Sequence, residues 1–422
     1  MPLYDTEDRH PLAKLGEAGI AIGLSTTASV IGGFIGILAL ATCAPIISEY
    51  ALMFAPRDYF ILAIMGILLV GSLSGESLAK GVFAGALGIL LCMVGMDNFT
   101  GQGRFTFGSV GLMSGIHFVA IMIGLFGVSE ALMQLHELHI MPIKQDVSRI
   151  IPSWRLLFKH MYLIIKCALI GIGIGALPGA GGDIAALLAY GHARRSVKHP
   201  TRPFGEGAYE GIIAPETANN ACIGGAYIPM LTLGIPGDAV TAVIIGALYI
   251  HGLKPGPMLM IETPHLFWFS VGCMMLANVF LIIFGLTGIR IFAKMVEIPK
   301  GLLLPIIIII SIVGSYAINN SIYDVYWMLG FGIFGYFLKR YGFQVGPVIL
   351  GVILGPLMET GYRQGMMDQH NRMLGFLTQL VVNPLSLVLT ASIIFMVLGQ
   401  TQFWGKLRGK FAKKGSEAEG KA

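Results

Sequence analysis

Charged residues are scarce in this sequence: Asp, Glu, Lys and Arg make up 12% of the 422 residues, whereas hydrophobic residues make up 55%. Soluble globular domains carry about 25% charged residues, so this composition excludes a globule dissolved in water. The mean hydropathy of +0.76 points instead to segments that lie in a bilayer. We predict an all-α fold, a polytopic membrane helix bundle that forms one unit.

Cysteine is also scarce, and its spacing excludes the usual thiolate metal sites. The sequence contains no Cys-x-x-Cys pair and no Cys/His ligand spacing. We therefore interpret the cysteines as small buried apolar residues rather than as disulfides, and we expect neither a metal nor a cofactor. The five cysteines are Cys43, Cys92, Cys167, Cys222 and Cys273.

The basic residues behind the net charge of +5 collect in short loops and at the C-terminus. This distribution follows the positive-inside rule and is not typical of a nucleic-acid-binding face. The expected surroundings are therefore a lipid bilayer, with no nucleic acid. The predicted order is a polar lead-in at 1–16, membrane helices of a first repeat at 17–135, a basic cytoplasmic loop at 136–160, a second repeat at 161–405 and a basic tail at 406–422.

Two Pro-Gly interruptions break the apolar runs, one between Gly175 and Gly182 and one between Gly234 and Gly237. Lipid cannot satisfy the backbone groups that such breaks free, so breaks survive only inside protein or beside a watery cavity. Basic loops on both sides of the first break predict a re-entrant hairpin. The second break predicts one discontinuous span, because the halves at 222–233 and 239–252 are each too short to cross a bilayer.

A weak internal repeat has an offset of 243 residues. Pro56-Arg57 matches Pro299-Lys300, and Gly71-Ser72 matches Gly314-Ser315, each pair in the same position relative to an apolar run. Transporters are often built from duplicated units. If this chain is one of them, the repeat partner of the 171–252 region, with its own two breaks, is expected N-terminal to Met1.

The longest motifs lie around these breaks, and one more lies earlier in the chain. They are Leu177-Pro178-Gly179, Phe204-Gly205-Glu206-Gly207, Ala214-Pro215-Glu216, Asn219-Asn220-Ala221, Leu233-Gly234-Ile235-Pro236-Gly237 and Arg104-Phe105-Thr106-Phe107-Gly108. With these motifs the sequence resembles the large membrane subunit of the tripartite tricarboxylate transporters, the TctA family. The likeness covers nearly the whole chain and departs from the family at the start, where the first Leu-Pro-Gly unit and its Pro-Gly partner are lacking.

The resemblance implies a bacterial inner-membrane permease that takes up carboxylates such as citrate. It further implies two partners, a small TctB-like membrane subunit and a periplasmic TctC-like solute-binding protein, and uptake coupled to a Na⁺ or H⁺ gradient. An enzyme is not expected. The sequence leaves open whether a chain shortened in this way transports solute or has an assembly role.

We expect the two breaks to meet inside the bilayer and to form a site for an anion. The candidate site residues there offer backbone amides, carboxamides or hydroxyls to a carboxylate near helix ends. The structural alternatives are tight turns at the Pro-Gly breaks, a polar cap formed by the two asparagines on a helix that begins near Ala221, and a cap formed by Asp183. Glu216 is the candidate for ion coupling, because an acid within the membrane is a functional hypothesis by default. The predicted substrate-binding residues are Pro178, Gly179, Gly181, Gly182, Asn219, Asn220, Gly234, Pro236, Gly237 and Thr241.

Overall fold

The computed structural model describes residues 8, 11–12, 15–73, 78–97, 99–135, 154–178, 181–253, 255–288 and 300–399. Helices account for most of this part of the chain, and strands for very little of it, which confirms the predicted all-α class. The chain forms two compact units, each built from two stretches of sequence, so the prediction of a single unit was wrong. Unit 1 contains Met1–Met53 and His117–Leu338, and unit 2 contains Phe54–Ile116 and Lys339–Ala422. The predicted bounds of consecutive segments stay a prediction, since most of 136–160 and all of 406–422 lie outside the described residues.

Unit 1 holds most of the helices. Its apolar runs become helices because a bilayer leaves their backbone groups no partner except one another. The helices are α1 (Ala18–Ala51), α4 (Phe118–Gln134, with a π-helical stretch at Ile123–Val128), α5 (Trp154–Lys159), α6 (Met161–Gly175), α7 (Gly181–Ser196), α8 (Tyr209–Leu233), α9 (Ala239–Ile250), α10 (Leu259–Glu262), α11 (Pro264–Thr287), α12 (Lys300–Asn319) and α13 (Ile322–Arg340).

Helix α8 is longer than predicted. It begins at Tyr209, not near Ala221, and its 25 residues include the polar motif that the sequence analysis placed before the helix. At 1.5 Å per residue it is about 37 Å long, so the prediction that this half is too short to cross a bilayer was wrong. Pro215 and several glycines disfavour a helix in isolation, but packing in the bundle overrides local propensity.

Helix α6 runs parallel to α8 and very close to it. A Cβ added to Gly171 would lie 2.2 Å from the carbonyl oxygen of Ala218, and one added to Gly175 would lie 2.2 Å from that of Cys222. From the first contact to the second, the position advances by four residues in both helices, so the two helices run in the same direction. Small residues at a helix interface permit this approach, which lipid-embedded helices use for van der Waals contact.

Helix α7 returns along α8 in the opposite direction. Near the first break, a Cβ added to Gly182 would lie 3.1 Å from the carboxamide oxygen of Asn219. Eight residues later, Tyr190 lies against Gly211, near the start of α8, where an added Cβ would be 3.2 Å from the tyrosine ring. Helix α7 therefore returns along α8 towards the level at which α6 begins. Helices α6 and α7 form a hairpin, which confirms the predicted re-entrant hairpin.

Helices α1 and α11 complete the surroundings of α8. A Cβ added to Gly32 of α1 would lie 2.2 Å from the carbonyl oxygen of Thr217 in α8. On the other side of α1, the buried Asn278 of α11 donates its amide to the carbonyl oxygen of Val30 at 2.9 Å. Because α1 and α11 lie at similar positions in the proposed repeat, this contact joins one helix of each copy; the repeat itself stays a prediction.

The described residues of unit 2 form five helices and a short hairpin. They are α2 (Pro56–Leu73), α3 (Leu78–Cys92), β1 (Gly95–Met96) paired antiparallel with β2 (Gly103–Arg104), a 3-10 turn (Val110–Leu112), α14 (Gly346–Asp368), α15 (Met373–Val382) and α16 (Pro384–Gly399). Helices α15 and α16 meet at 91°. Asn383 caps the second of them, accepting a hydrogen bond from the backbone N–H of Leu385 at 3.1 Å. The sequence analysis did not predict this bend.

The loop after α3 is fixed to α14 by four charged side chains. Arg104 pairs with Glu359 through two contacts of 2.6 and 3.1 Å, and Arg363 pairs with Asp97 at 3.0 Å and with Glu359 at 2.8 Å. The backbone N–H of Phe99, followed by neighbouring side-chain donors that include Arg363, lowers the pKa of Asp97 to about 2. The network therefore stays charged at physiological pH and holds the hairpin in one place.

Helices α3 and α14 cross at glycines, and this contact gives a stability prediction. A Cβ added to Gly351 would lie 2.2 Å from the carbonyl oxygen of Gly85. We expect Gly351→Ala to destabilise the protein by about 1–3 kcal/mol, since neither backbone can yield without separating the helices. Thermal unfolding in detergent measures the effect. Gly346→Ala on the same helix is the control, because its Cβ would meet nothing within 4 Å, and equal melting temperatures for the two variants would contradict the prediction.

Among the described residues, three helices are long and apolar enough to cross a membrane: Gly19–Ala51, Pro264–Thr287 and Gly301–Asn319. The bent pair α15–α16 makes a fourth span if it counts as one. Several helices around the breaks fail this test because they are short or polar, although they pack inside the bundle. The chain is a multi-pass membrane protein.

Candidate functional site

The first break lies between the end of α6 and the start of α7. Pro178 is buried in it, and Gly181 and Gly182 form the first turn of α7. Gly179 lies outside the described residues. The first backbone N–H groups of a helix have no partner within the helix, so this end of α7 presents donors and a partial positive charge.

The second break lies between α8 and α9. Gly234 ends α8 in the left-handed conformation, with φ of +71°, and its N–H donates to the carbonyl oxygen of Met230 at 3.1 Å. This bond, from the first residue beyond the helix to the carbonyl four residues earlier, is that of an αL helix end. The N–H of Ile235 donates to the carbonyl oxygen of Pro229 at 3.2 Å. Pro236 follows and is buried. The predicted discontinuity between 233 and 239 is confirmed.

The two breaks meet. A Cβ added to Gly237 would lie 2.6 Å from the carbonyl oxygen of Gly175, which is the last residue of α6. One added to Gly181 would lie 3.7 Å from the Cβ of Asp238, the residue before α9. The end of α6 and the beginnings of α7 and α9 therefore share one small region against α8, as the sequence predicted.

This meeting point lies deep along α8. Gly175 packs against Cys222, about 20 Å along α8 from its first residue. The hydrocarbon core of a bilayer is about 30 Å thick, so we expect a break at this height to lie inside it when α8 begins at a membrane surface. Protein must surround such freed backbone groups, and α6, α8 and α9 do so here.

Asn219 places a polar side chain beside the start of α7. A Cβ on Gly182 would lie 3.1 Å from its carboxamide oxygen and 3.2 Å from its carboxamide nitrogen. Asn220 is about 100° further around the helix and lies on the same face as Glu216, one turn earlier. The structure therefore divides the predicted asparagine pair, with Asn219 at the break and Asn220 on the Glu216 side.

Thr241 lies in the first turn of α9, where its hydroxyl is already engaged. The Thr241 hydroxyl contacts the Asp238 carboxylate at 2.6 Å, and the backbone N–H of Asp238 donates to the Thr241 hydroxyl at 2.9 Å. The backbone N–H of Thr241 donates in turn to the Asp238 carboxylate at 2.7 Å. This reciprocal capping stabilises the start of α9. A ligand role for Thr241 stays a prediction, and it requires this cap to open.

Glu216 lies on the side of α8 that faces α1. Its carboxylate accepts a hydrogen bond from the Ser29 hydroxyl at 2.5 Å. Glu216 is half-buried, whereas its neighbour Thr217 is fully buried. A carboxyl group in the bundle interior, held by a hydroxyl, has the chemistry needed to take up and release a proton or a cation.

Sequence reasoning assigned no role to Ser29 or Asp238. Ser29 follows Ser25 by one helical turn and precedes Gly32 and Gly36 on the first apolar run, and this small, polar face was the signal available. Asp238 comes directly after the Pro236-Gly237 pair and before α9, where an N-cap residue is expected.

A meeting of broken helices inside a bundle is an arrangement found in membrane transporters. Comparisons with known proteins agree with this class. The model of the "Tripartite tricarboxylate transporter TctA family" matches residues 3–350. This match spans most of the sequence, and the chain belongs to the TctA family.

Two relatives from Agrobacterium vitis are similar to this chain. One, described as an uncharacterized 52.8 kDa protein in the TAR-I ttuC' 3' region, is 36% identical over 396 residues, which cover 93% of this chain and 78% of that protein. Another, described as an uncharacterized protein in the TAR-II ttuC' 3' region, is 40% identical over 213 residues, 50% of this chain and 86% of that protein. No solved structure matches the chain.

Proposed function

We propose that this chain is the permease subunit of a binding-protein-dependent secondary transporter for tricarboxylates or related organic carboxylates. Its setting is the bacterial inner membrane, and its partners are a small TctB-like subunit and a periplasmic TctC-like binding protein. The observation that carries the proposal is the contact between the two breaks, where Gly237 lies against the last carbonyl of α6. Family membership supports the same conclusion.

Substrate binding takes place at the start of α7. The free N–H groups of Gly181 and Gly182 and the positive end of the helix attract a carboxylate, while the carboxamide of Asn219 donates a further hydrogen bond. The start of α9, near Gly237, closes the site on its other side. These neutral donors bind a carboxylate without a fixed positive charge. Such binding suits a site that must also release its ligand.

Ion coupling follows from the acidic residues around this site. Asp183 and Asp238 lie at the beginnings of α7 and α9, so an anionic substrate enters a region that already holds negative charge. A Na⁺ ion or a proton that binds together with the substrate offsets this repulsion. Glu216, held by Ser29, is the group proposed to take it up.

Labelled tricarboxylate uptake into proteoliposomes that contain all three components tests this function. We expect gradient-driven accumulation by the natural chain and its loss in Glu216→Gln, while exchange of labelled for unlabelled substrate continues, since the binding groups on α7 are intact. Glu49→Gln, which changes an exposed acid on α1, is the matched control. Absence of uptake by the natural chain with both partners present would contradict the proposal and favour the assembly role.

A further inference from the structure

A second carboxylate-binding arrangement lies at the other end of α7, and in this structure it is filled by Asp8. One oxygen of the fully buried Asp8 carboxylate accepts hydrogen bonds from the backbone N–H groups of Gly205 at 2.8 Å, Gly207 at 2.9 Å and Ala208 at 2.9 Å. The other oxygen accepts a hydrogen bond from the Tyr190 hydroxyl at 3.1 Å. The charge thus has four donors although it is removed from solvent.

The backbone around Asp8 is shaped to hold a carboxylate. Gly205 and Gly207 have φ of +90° and +98°, a conformation in which successive N–H groups converge on one point. Gly211 leaves space for the bound group, since an added Cβ there would lie 1.9 Å from the second Asp8 oxygen. Removing the carboxylate would leave these converging donors with no charge to hold.

This contact ties together parts of the fold that are distant in sequence. Tyr190 belongs to α7, the returning helix of the hairpin, and residues 204–208 lead directly into α8. A second tie lies close by, where Glu17 accepts a hydrogen bond from Arg202 at 2.8 Å and from Tyr209 at 3.0 Å. The Arg202 hydrogen bond lowers the pKa of Glu17, so this tie also stays charged at neutral pH.

The opposite end of α7 carries Gly181 and Gly182, about 12 Å from Tyr190 along the helix. Beneath α7 lie two fully buried cysteines, Cys167 of α6 and Cys222 of α8, in one apolar cluster with the α7 alanines. Any movement of α7 away from α6 and α8 therefore requires Tyr190 to leave the Asp8 carboxylate, and it uncovers these two thiols.

We propose that Asp8 is a latch for α7: its carboxylate holds the hairpin closed against α8, and its withdrawal allows α7 to move away from the bundle. The proposal depends on the contacts of Asp8 and not on the identity of the transported solute. A groove of about 440 Å³ lies beside the loop, lined by Pro11, Leu15, Arg202, Pro203, Gly205 and Glu206, so Gly205 is reached from solvent on its outer side.

Thiol labelling of the purified full chain tests the latch. We expect N-ethylmaleimide, followed by peptide mass spectrometry, to label Cys167 and Cys222 at least tenfold faster in Asp8→Ala than in the natural chain. Millimolar formate, which replaces the missing carboxylate, should return labelling of Asp8→Ala to the slow rate. In the double variant Asp8→Ala/Gly211→Ala formate should have no effect, because the new methyl group occupies the position of the carboxylate.

Three results would overturn the latch. Unchanged labelling of the two cysteines in Asp8→Ala would show that the carboxylate does not hold α7. An equal rise at Cys92, in unit 2, would indicate general loosening rather than movement of one helix. A failure of formate to slow labelling would show that the loop does not bind a carboxylate. Since none of these measurements involves uptake, they are independent of the proposed transport function.

Discussion

Gly237→Ala is expected to reduce carboxylate uptake at least tenfold. The added Cβ would lie 2.6 Å from the carbonyl oxygen of Gly175 and 2.5 Å from the Cα of Ala226. These two backbone atoms cannot rotate away, so the two breaks must separate. Overpacking of this kind costs about 1–3 kcal/mol, and about 1.4 kcal/mol of weakened binding already corresponds to a tenfold change. Initial rates of labelled uptake in proteoliposomes measure the loss.

The matched control for Gly237→Ala is Gly173→Ala, on α6 close to the same break. Its Cβ would meet nothing within 4 Å, so uptake should remain within about twofold of the natural chain. Equal uptake by the two variants would show that the contact between the breaks has no part in transport. A measurement of protein amount in the vesicles separates reduced activity from reduced insertion.

Asn219→Asp is expected to have the second large effect, because it changes the sign of the charge that a substrate meets. A carboxylate at this position repels an anion at about 4 Å by roughly 4 kcal/mol at an effective dielectric constant of 20. We therefore expect substrate binding to weaken by about a hundredfold or more, whereas Asn219→Ala, which removes only a donor, should lose about tenfold.

Equilibrium binding of labelled tricarboxylate to the purified variants gives both values. The order of the two substitutions is the informative result. If Asn219→Asp binds as well as Asn219→Ala, no anion approaches this residue. Tighter binding of Na⁺ by Asn219→Asp, with unchanged carboxylate binding, would assign the position beside Gly182 to the coupling ion instead.

The sequence was sufficient to predict the breaks and the hairpin. A Pro-Gly pair inside an apolar run has few physical explanations in a bilayer, and the basic residues after α7 indicated the direction of return. The meeting of Gly175 with Gly237 also followed from this reasoning, since backbone groups exposed at membrane depth need protein around them.

The start of α8 could not be predicted in the same way. Pro215, Asn219 and several glycines suggest a loop when only local propensity is considered, but close packing against α1 and α6 makes this segment helical. Contacts between residues far apart in the sequence could not be predicted either. One example is the hydrogen bond between Glu216 and Ser29, which are separated by 187 positions. No sequence spacing reveals that Asp8 lies against Gly205.

The right-angle bend between α15 and α16 was missed for a different reason. Asn383 and Pro384 are a recognised stop signal, because proline disfavours the helical conformation of the residue before it. The apolar run of α15 before it, at 373–382, is too short to cross a bilayer by itself, so its length does not indicate that it forms a bent pair with α16.

A structure of the chain with a bound tricarboxylate tests the central claim most directly. We predict substrate density at the start of α7, with a carboxylate about 3 Å from the backbone nitrogens of Gly181 and Gly182 and from the Asn219 carboxamide. Substrate bound elsewhere in the bundle, with the first turn of α7 facing only protein or water, would contradict the account.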